Sequence, residues 1–250
     1  MRKKRVVVIT GGTRGIGAST AYKFAQEGDR IVLAGRSEED GQAVVQTIKS
    51  NGGEAIFVRT DVSKYEDVEA LVEAAVETYG SIDVMFNNAG YASVIPSLAS
   101  MSLEEYQKTI NVNQHGVAYG ILAAGKKMIE LNKRGIIINN SSVFGYLASF
   151  GGFAYHASKG AINMMTKSAA LEYTPHGIRV VAVAPGFVDT DILQEFRDMG
   201  IIDQLKAKNM GNKLIEPKQI ADAVYMISLD EASAINGSVV KLDDGYASFK

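Results

Sequence analysis

The chain has 250 residues, 46% hydrophobic and 22% charged, which is typical of a globular protein and not of a disordered one. With 26 basic and 28 acidic side chains the net charge is −2, which argues against a nucleic-acid or membrane partner. The lack of cysteine excludes disulfides, thiolate metal sites and cysteine nucleophiles, and three scattered histidines offer little for zinc, so we expect no metal.

The N-terminal segment begins with the basic run Arg2-Lys3-Lys4-Arg5, followed by four apolar residues before Thr10. A secretory signal needs an apolar run of about 7–15 residues, and a membrane span needs about 20. Neither pattern occurs in the sequence. We therefore expect a cytoplasmic protein whose basic start is a solvated lead-in to a buried strand.

Short apolar runs then alternate with amphipathic stretches along the chain. The runs are rich in β-branched residues and lack polar alternation, so they predict strands covered on both faces, as in a parallel sheet. The predicted strands are Arg5–Ile9, Arg30–Ala34, Ala55–Arg59, Ile82–Phe86, Gly135–Asn139, Arg179–Ala184 and Ser238–Leu242. This alternation indicates one α/β domain over residues 1–250, a Rossmann-type doubly wound seven-stranded parallel sheet with helices on both faces.

The first predicted strand runs into the segment Thr10–Gly17, in which glycines at 11, 15 and 17 precede a predicted helix. Their spacing differs from the common G-x-G-x-x-G fingerprint. The position after a first strand nevertheless suits the same chemistry, namely a tight turn and phosphate binding at a helix N-terminus. The segment therefore predicts a dinucleotide site.

The end of the second predicted strand indicates which dinucleotide binds. Enzymes that read the free ribose 2′-hydroxyl of NAD usually place a carboxylate there, whereas this chain has Gly35 and Arg36. Arg36, together with Arg14 in the glycine segment, favours a 2′-phosphate through charge-assisted bidentate bonds. We therefore predict NADP(H); two solvated surface arginines are the alternative.

A tyrosine and a lysine four residues apart, Tyr155 and Lys159, share one face of a predicted helix. The spacing alone is weak evidence, because Tyr246–Lys250 repeats it at the end of the sequence. The first pair differs in having Ser142 after the fifth predicted strand and Asn113 in a polar segment further upstream. These four residues are the candidate catalytic groups.

The chemistry of this pair can be argued from elementary electrostatics. A phenol titrates near 10, so it is a poor proton donor and acceptor at neutral pH. Lowering its pKa to about 7 requires roughly 4 kcal/mol. One ammonium group about 4 Å away supplies about that much at an effective dielectric constant near 20. We therefore expect Lys159 to lower the pKa of Tyr155 without help from a metal.

An irregular region, residues 186–216, follows the sixth predicted strand and carries Gly200, Gly211 and many polar residues. An insertion of this size at the carboxyl edge of a sheet is often a lid or substrate loop. We predict that role here, and a plain helical excursion is the alternative.

Taken together, these motifs resemble the short-chain dehydrogenase/reductase family in its single-domain form, over essentially the whole chain. The motifs are Thr10–Gly17, Asp61-Val62, Asn87-Asn88-Ala89-Gly90, Asn113, Ser142, Tyr155, Lys159 and Pro185-Gly186. The resemblance implies hydride transfer between nicotinamide C4 and a carbonyl carbon while Tyr155 exchanges the proton. It further implies that Lys159 binds the nicotinamide ribose, Ser142 holds the substrate oxygen and Asn113 anchors a water chain to Lys159.

The same resemblance, together with the two arginines, gives a set of expected cofactor contacts. They are Gly11, Thr13, Arg14, Gly15, Ile16, Gly17, Arg36, Asp61, Val62, Asn88, Ala89, Gly90, Tyr155, Lys159, Pro185, Gly186, Val188 and Thr190. By the family pattern Asp61 and Val62 flank the adenine, while Val188 and Thr190 touch the nicotinamide amide. A homotetramer, or a dimer, with the Tyr155 helix at an interface is also implied.

The resulting hypothesis is an NADP(H)-dependent oxidoreductase that interconverts a ketone or aldehyde and an alcohol. The alternatives are a 3-oxoacyl-carrier-protein reductase, a sugar, polyol or steroid dehydrogenase, and a non-enzymatic NADP(H) sensor, which the intact tetrad disfavours. Evidence for a carrier-protein partner is divided, because Lys133 and Arg134 are basic but His176 stands where the family often has arginine.

A few residues invite a structural interpretation or depart from the family pattern. Asp244 occupies a position where a second glycine is usual, and we expect the cofactor chemistry to survive this. We interpret His156 as a helix-surface or subunit-contact residue. Ile162, Met164 and Met165 are expected to pack against one face of the helix, as methionine usually does.

Overall fold

The computed structural model describes residues 4–93 and 97–249, and the predicted α/β fold is confirmed in them. Parallel strands form one seven-stranded sheet in the order β3-β2-β1-β4-β5-β6-β7. The strands are β1 Val6–Thr10, β2 Arg30–Gly35, β3 Glu54–Arg59, β4 Val84–Asn87, β5 Ile136–Asn140, β6 Arg179–Pro185 and β7 Val239–Leu242. Every predicted strand is therefore correct to within two residues at either end.

Helices cover both faces of the sheet. They are α1 Gly15–Gln26, α2 Glu38–Ser50, α3 Tyr65–Tyr79, α4 Leu103–Ile110, α5 Gly116–Glu130, α6 Phe153–Tyr173, α7 Gln194–Asp198, α8 Ile202–Lys206, α9 Pro217–Ile227 and α10 Tyr246–Phe249. One apolar core lies under α1, α2 and α9, and the other lies under α3, α5 and α6. In β5, Ile136 and Ile138 enter the first core and Ile137 the second, which explains why the strand shows no polar alternation.

The direction of winding reverses at β1, whose neighbours are β2 on one side and β4 on the other. In open parallel sheets a crevice opens at such a switch point, outside the carboxyl ends of the strands. The segments after β1, β4, β5 and β6 all start at that edge, and they contain most of the predicted site residues.

The basic N-terminal run is only partly described, since Arg2 and Lys3 lie outside the described residues. The expected solvated lead-in is wrong for Arg5, whose guanidinium pairs with the buried Asp29 carboxylate at 2.8 Å and bonds to Ser228. Lys250 also lies outside the described residues. Among the helices of the described part, none is long and apolar enough to cross a membrane.

The irregular region 186–216 has a folded core of its own. A short parallel bridge joins Val188 to Ile215, and helices α7 and α8 lie between them. A third small apolar cluster connects the region to the segments after β5 and β7. Its buried members are Val143, Phe187, Leu193, Leu205 and Tyr246. The region therefore packs against the carboxyl edge of the sheet.

Asp244 ties this region to the C-terminal turn. Its φ of 46° lies in the left-handed region that favours glycine, in keeping with the glycine usual there in the family. The Asp244 carboxylate accepts a hydrogen bond from Gly211 N at 2.7 Å, and its carbonyl accepts one from Met210 N at 2.9 Å. These bonds offset the backbone cost and fasten the end of the irregular region.

Candidate active site

The glycine segment forms a turn that excludes side chains. Gly11 and Gly15 have φ of +61° and +54°, and a Cβ on Gly17 would lie 2.0 Å from the Gly11 carbonyl oxygen. Helix α1 begins here, and within the described residues no side chain caps its N-terminus and no acidic residue lies in its first turn. Its first backbone N–H groups are therefore available to bind an anion such as a phosphate.

Asn88 locks this turn to the end of β4. Its Nδ2 donates to the carbonyl oxygens of Thr10 at 3.1 Å and Gly11 at 3.0 Å. The Thr10 hydroxyl in turn accepts from the backbone N–H groups of Asn88 and Ala89. A Cβ on Gly11 would lie 2.8 Å from Ala89 Cα, so the two segments touch directly.

The other expected contacts around the turn also gather here. Thr13 lies against the end of β2, where a Cβ on Gly35 would be 2.7 Å from its methyl group. Ile16 packs into the core beneath α1. Thr190 approaches Gly15 from the irregular region, 3.1 Å from the position that a Cβ on that glycine would take.

The ends of β2 and β3 carry the groups expected near the adenosine. Arg36 is exposed at the end of β2, and the charges of Arg36 and Lys64 act on the Asp61 carboxylate. Burial alone would raise the pKa of Asp61, but hydrogen bonds from Ser63 and these charges hold it below its usual value. Arg14 forms an ion pair of 3.4 Å with Asp191, whose side chain, like that of Arg14, is about 70% exposed.

Four further expected contacts flank this region. Val62 is buried against α5, where a Cβ on Gly116 would be 3.0 Å from its methyl group. Pro185 ends β6, and Gly186 N donates to Leu242 O at 3.0 Å. Gly186 thus starts the irregular region directly beside the C-terminal turn, and Val188 follows it into the sheet edge.

The candidate catalytic residues converge at the same edge. Lys159 Nζ lies 5.4 Å from the centre of the Tyr155 ring and donates to Asn140 O at 2.7 Å. Ser142 follows β5, and its hydroxyl oxygen accepts from Phe144 N at 3.2 Å. A Cβ on Gly90 would be 3.7 Å from Asn113 Oδ1 and 4.0 Å from Lys159 Nζ, so Gly90 separates these two residues.

The electrostatics of the pair differ from the expectation. Burial lowers the pKa of Lys159 to about 7. Burial also raises the pKa of Tyr155 above its ordinary value, against the opposing effect of a hydrogen bond with Ser142. The expected lowering of the Tyr155 pKa by Lys159 is therefore wrong here, because a buried environment penalises both the phenolate and the ammonium.

The Asn113 side chain makes three hydrogen bonds inside the protein. It lies in a π-helical turn, Asn111–His115, that joins α4 to α5. Its Oδ1 accepts from Tyr91 N at 2.7 Å, and its Nδ2 donates to Tyr91 O and to the Ser158 hydroxyl. The side chain therefore fixes the segment after β4 beside Lys159, and the water chain that the family resemblance implies stays a prediction.

An aromatic cluster that the sequence did not predict borders Tyr155. The Phe144 ring stacks on His156 at 5.1 Å and meets the edges of Tyr155, Phe187 and Tyr246 within 6.5 Å. The His156 ring stays partly exposed while it packs on Phe144, and its expected role as a helix-surface or subunit-contact residue stays a prediction. The only local signal was the position of Phe144, two residues after Ser142.

Helix α6 has one buried and one exposed apolar face. Ile162 is fully buried and Met165 is partly buried, as expected. Met164 points outward with 62% of its surface exposed, so the expected packing is wrong for this residue. Phe153 and Leu171 are likewise 52% and 80% exposed.

Comparison with known proteins identifies the family. The short chain dehydrogenase family model matches residues 5–200. Glucose 1-dehydrogenase 2 of Bacillus subtilis is 35% identical, over 96% of this chain and 94% of its own, and 3beta-hydroxysteroid dehydrogenase 1 of Eggerthella lenta is 38% identical, over 97% and 94%. A solved structure of ElxO with NADP bound has a TM-score of 0.90 at 29% identity, covering 98% of this chain and all of that one. The chain belongs to the short-chain dehydrogenase/reductase family and is an oxidoreductase.

Members of this family use NAD(P)(H). The geometry of the site also fits such a dinucleotide. The N-terminus of α1 offers its N–H groups to a diphosphate, and Gly11, Gly15 and Gly17 leave the space that side chains would fill. Asn140 Oδ1 is a buried acceptor that has no hydrogen-bond partner among the described residues. No group of three or more potential metal ligands occurs in the described part of the chain.

Proposed function

We propose that the protein is an NADP(H)-dependent oxidoreductase that interconverts a ketone or aldehyde and an alcohol. The observation that carries the proposal is the convergence of Ser142, Tyr155 and Lys159 beside the uncapped N-terminus of α1. The whole chain acts as one domain, and residues 186–216 enclose the substrate. Its cytoplasmic location stays a prediction from the sequence.

The chain's own residues would orient the substrate oxygen and supply the proton, while the bound dinucleotide supplies or accepts the hydride. Ser142 Oγ accepts from Phe144 N and the Ser142 hydroxyl shares a hydrogen bond with Tyr155, so we place the substrate oxygen where it contacts both hydroxyl groups. Tyr155 stays protonated at neutral pH and donates its phenolic proton to that same oxygen during reduction. The Lys159 ammonium then stabilises the phenolate that is left.

An apolar carbonyl compound is the substrate class that the surroundings favour. Phe144, Phe187 and Tyr246 form the cluster beside Tyr155, and none of these rings offers a charge to a sugar or a phosphate. The similarity to a hydroxysteroid dehydrogenase supports an alicyclic alcohol, whereas the similarity to a glucose dehydrogenase supports a sugar. Rates with cyclic ketones, aldoses and 3-oxoacyl-carrier-protein thioesters, each with NADPH, test the proposal and separate its alternatives.

The pH dependence of ketone reduction should reflect the titration of the Lys159 ammonium group. With a pKa of about 7 its ammonium form predominates below that pH, so kcat/KM for ketone reduction should be level in acid and fall as the pH rises through about 7. Arginine keeps its charge throughout this range. In Lys159→Arg the residual activity should therefore lack this decrease. Profiles of kcat/KM against pH report groups of the free enzyme, and a decrease near 7 that survives in Lys159→Arg would contradict the assignment.

We also propose that the exposed apolar face of α6 is an oligomer interface, as in the tetramer that the family resemblance implies. Introducing charge there, with Met164→Glu and Leu171→Glu together, should shift the protein to a smaller species. The reason is that two carboxylates would be buried without partners at a symmetric contact. Light scattering after size-exclusion chromatography measures the mass. Lys49→Glu, a charge reversal at an exposed residue of α2, is the control and should leave the mass unchanged.

A further inference from the structure

A continuous polar connection runs from the glycine turn to Lys159 through two asparagines. Asn88 holds the carbonyl oxygens of Thr10 and Gly11 through its Nδ2. Asn140, the last residue of β5, donates from its own Nδ2 to Asn88 Oδ1 at 3.0 Å. The backbone carbonyl of the same residue accepts from Lys159 Nζ at 2.7 Å. One residue therefore contacts both the support of the nucleotide turn and the lysine.

The bond from Asn140 fixes which way the Asn88 amide faces. An asparagine amide has a donor end and an acceptor end that are nearly equal in shape. A donor placed against Asn88 Oδ1 favours the orientation in which Asn88 Nδ2 faces the carbonyls of Thr10 and Gly11. Without that donor the Asn88 acceptor loses its partner, and turning the amide would release both carbonyls.

Within the described part of the chain, the Asn140 side chain makes no second hydrogen bond. Its Oδ1 is buried without a partner among the described residues, so the contact with Asn88 is the one that its amide makes. The neighbouring Asn139 points to the opposite face of the sheet, where it bonds to Asn87 and Thr166. The two asparagines of β5 thus belong to separate polar groups.

We propose that Asn140 is a positioning residue that couples the dinucleotide turn to Lys159. Its side chain holds the turn in the shape that binds the diphosphate, through Asn88, and its carbonyl holds the lysine ammonium. This inference rests on the proposed dinucleotide site. Neither contact was predicted from the sequence, in which Asn140 is a polar residue next to a predicted strand.

Asn140→Leu tests the proposal, because leucine has nearly the same shape and cannot donate. It removes one unpartnered acceptor, that of residue 140, and creates another at Asn88, so we expect the melting temperature to change little. The dissociation constant for NADPH, measured by fluorescence titration, should rise about tenfold. The decrease of kcat/KM near pH 7 should keep its position, because the backbone carbonyl that accepts from Lys159 stays in β5.

Two comparisons make the test specific. Asn139→Leu removes a fully buried amide from the same strand; it should lower the melting temperature and leave NADPH affinity within about twofold of wild type. In a double-mutant cycle, Asn140→Leu should add little to the loss of NADPH affinity caused by Asn88→Ala, because both act through one bond.

Three outcomes would overturn this inference but leave the proposed function intact. They are an unchanged NADPH affinity in Asn140→Leu, an equal loss of affinity in Asn139→Leu, and losses of affinity that multiply in the double mutant. A wild-type protein that binds neither NADPH nor NADH would overturn the proposed function and the inference with it.

Discussion

Replacing Tyr155 with phenylalanine is expected to lower kcat for ketone reduction by about 10³-fold, the middle of the range for loss of a general acid. The substitution removes the only group proposed to donate the proton and changes little else. The ring keeps its edge contact with Phe144, and the nucleotide turn lies on other segments. NADPH affinity should therefore stay within about twofold of wild type, so that the loss appears in kcat and not in cofactor binding.

A matched control is available in the same segment of the chain. Tyr146 lies beyond Ser142, and its side chain is about half exposed. Tyr146→Phe should retain nearly full activity. Appreciable turnover by Tyr155→Phe, or an equal loss in Tyr146→Phe, would mean that the proton comes from elsewhere. Stopped-flow measurement of NADPH consumption separates the chemical step from product release in both variants.

The fold was predictable because its signals are local. The five inner strands of the sheet are apolar runs buried on both faces, and such runs are visible in the sequence without knowledge of their neighbours. The glycine turn was predictable for a similar reason, since Gly11 and Gly15 adopt backbone conformations that glycine favours. The predicted ends of the strands differ from the observed ends by up to two residues, because hydrogen bonds to neighbouring strands determine where a strand ends.

The parts of the site that were missed depend on contacts between distant segments. Phe144 becomes an aromatic centre only when Phe187 and Tyr246, which are far away in the sequence, pack against it. Asn140 acquires its role through Asn88, 52 positions earlier. The predicted shift of the Tyr155 pKa had the wrong direction. The prediction considered the charge of Lys159 but not the burial that both side chains share.

Cofactor preference should depend on Arg36 more than on Arg14. A guanidinium that binds the 2′-phosphate directly forms charge-assisted hydrogen bonds, whose loss costs about 1.5–3 kcal/mol, or about 10- to 100-fold. Arg36→Ala should therefore lower kcat/KM with NADPH by that factor and leave kcat/KM with NADH nearly unchanged. Arg14 is already paired with Asp191, so Arg14→Ala should have a smaller effect in the same direction.

The expected asymmetry follows from exchange of partners at Arg14. Its ion pair with Asp191 must break before the guanidinium can bind a phosphate, so the net gain at Arg14 is smaller than at Arg36 by the small contribution of an exposed pair. Asp191→Asn should accordingly raise kcat/KM with NADPH slightly, and only when Arg14 is present. Arg134→Ala, an exposed arginine at the opposite edge of the sheet, serves as the control and should alter neither cofactor. A wild-type protein that uses NADH as well as NADPH would show that neither arginine reads the 2′-phosphate.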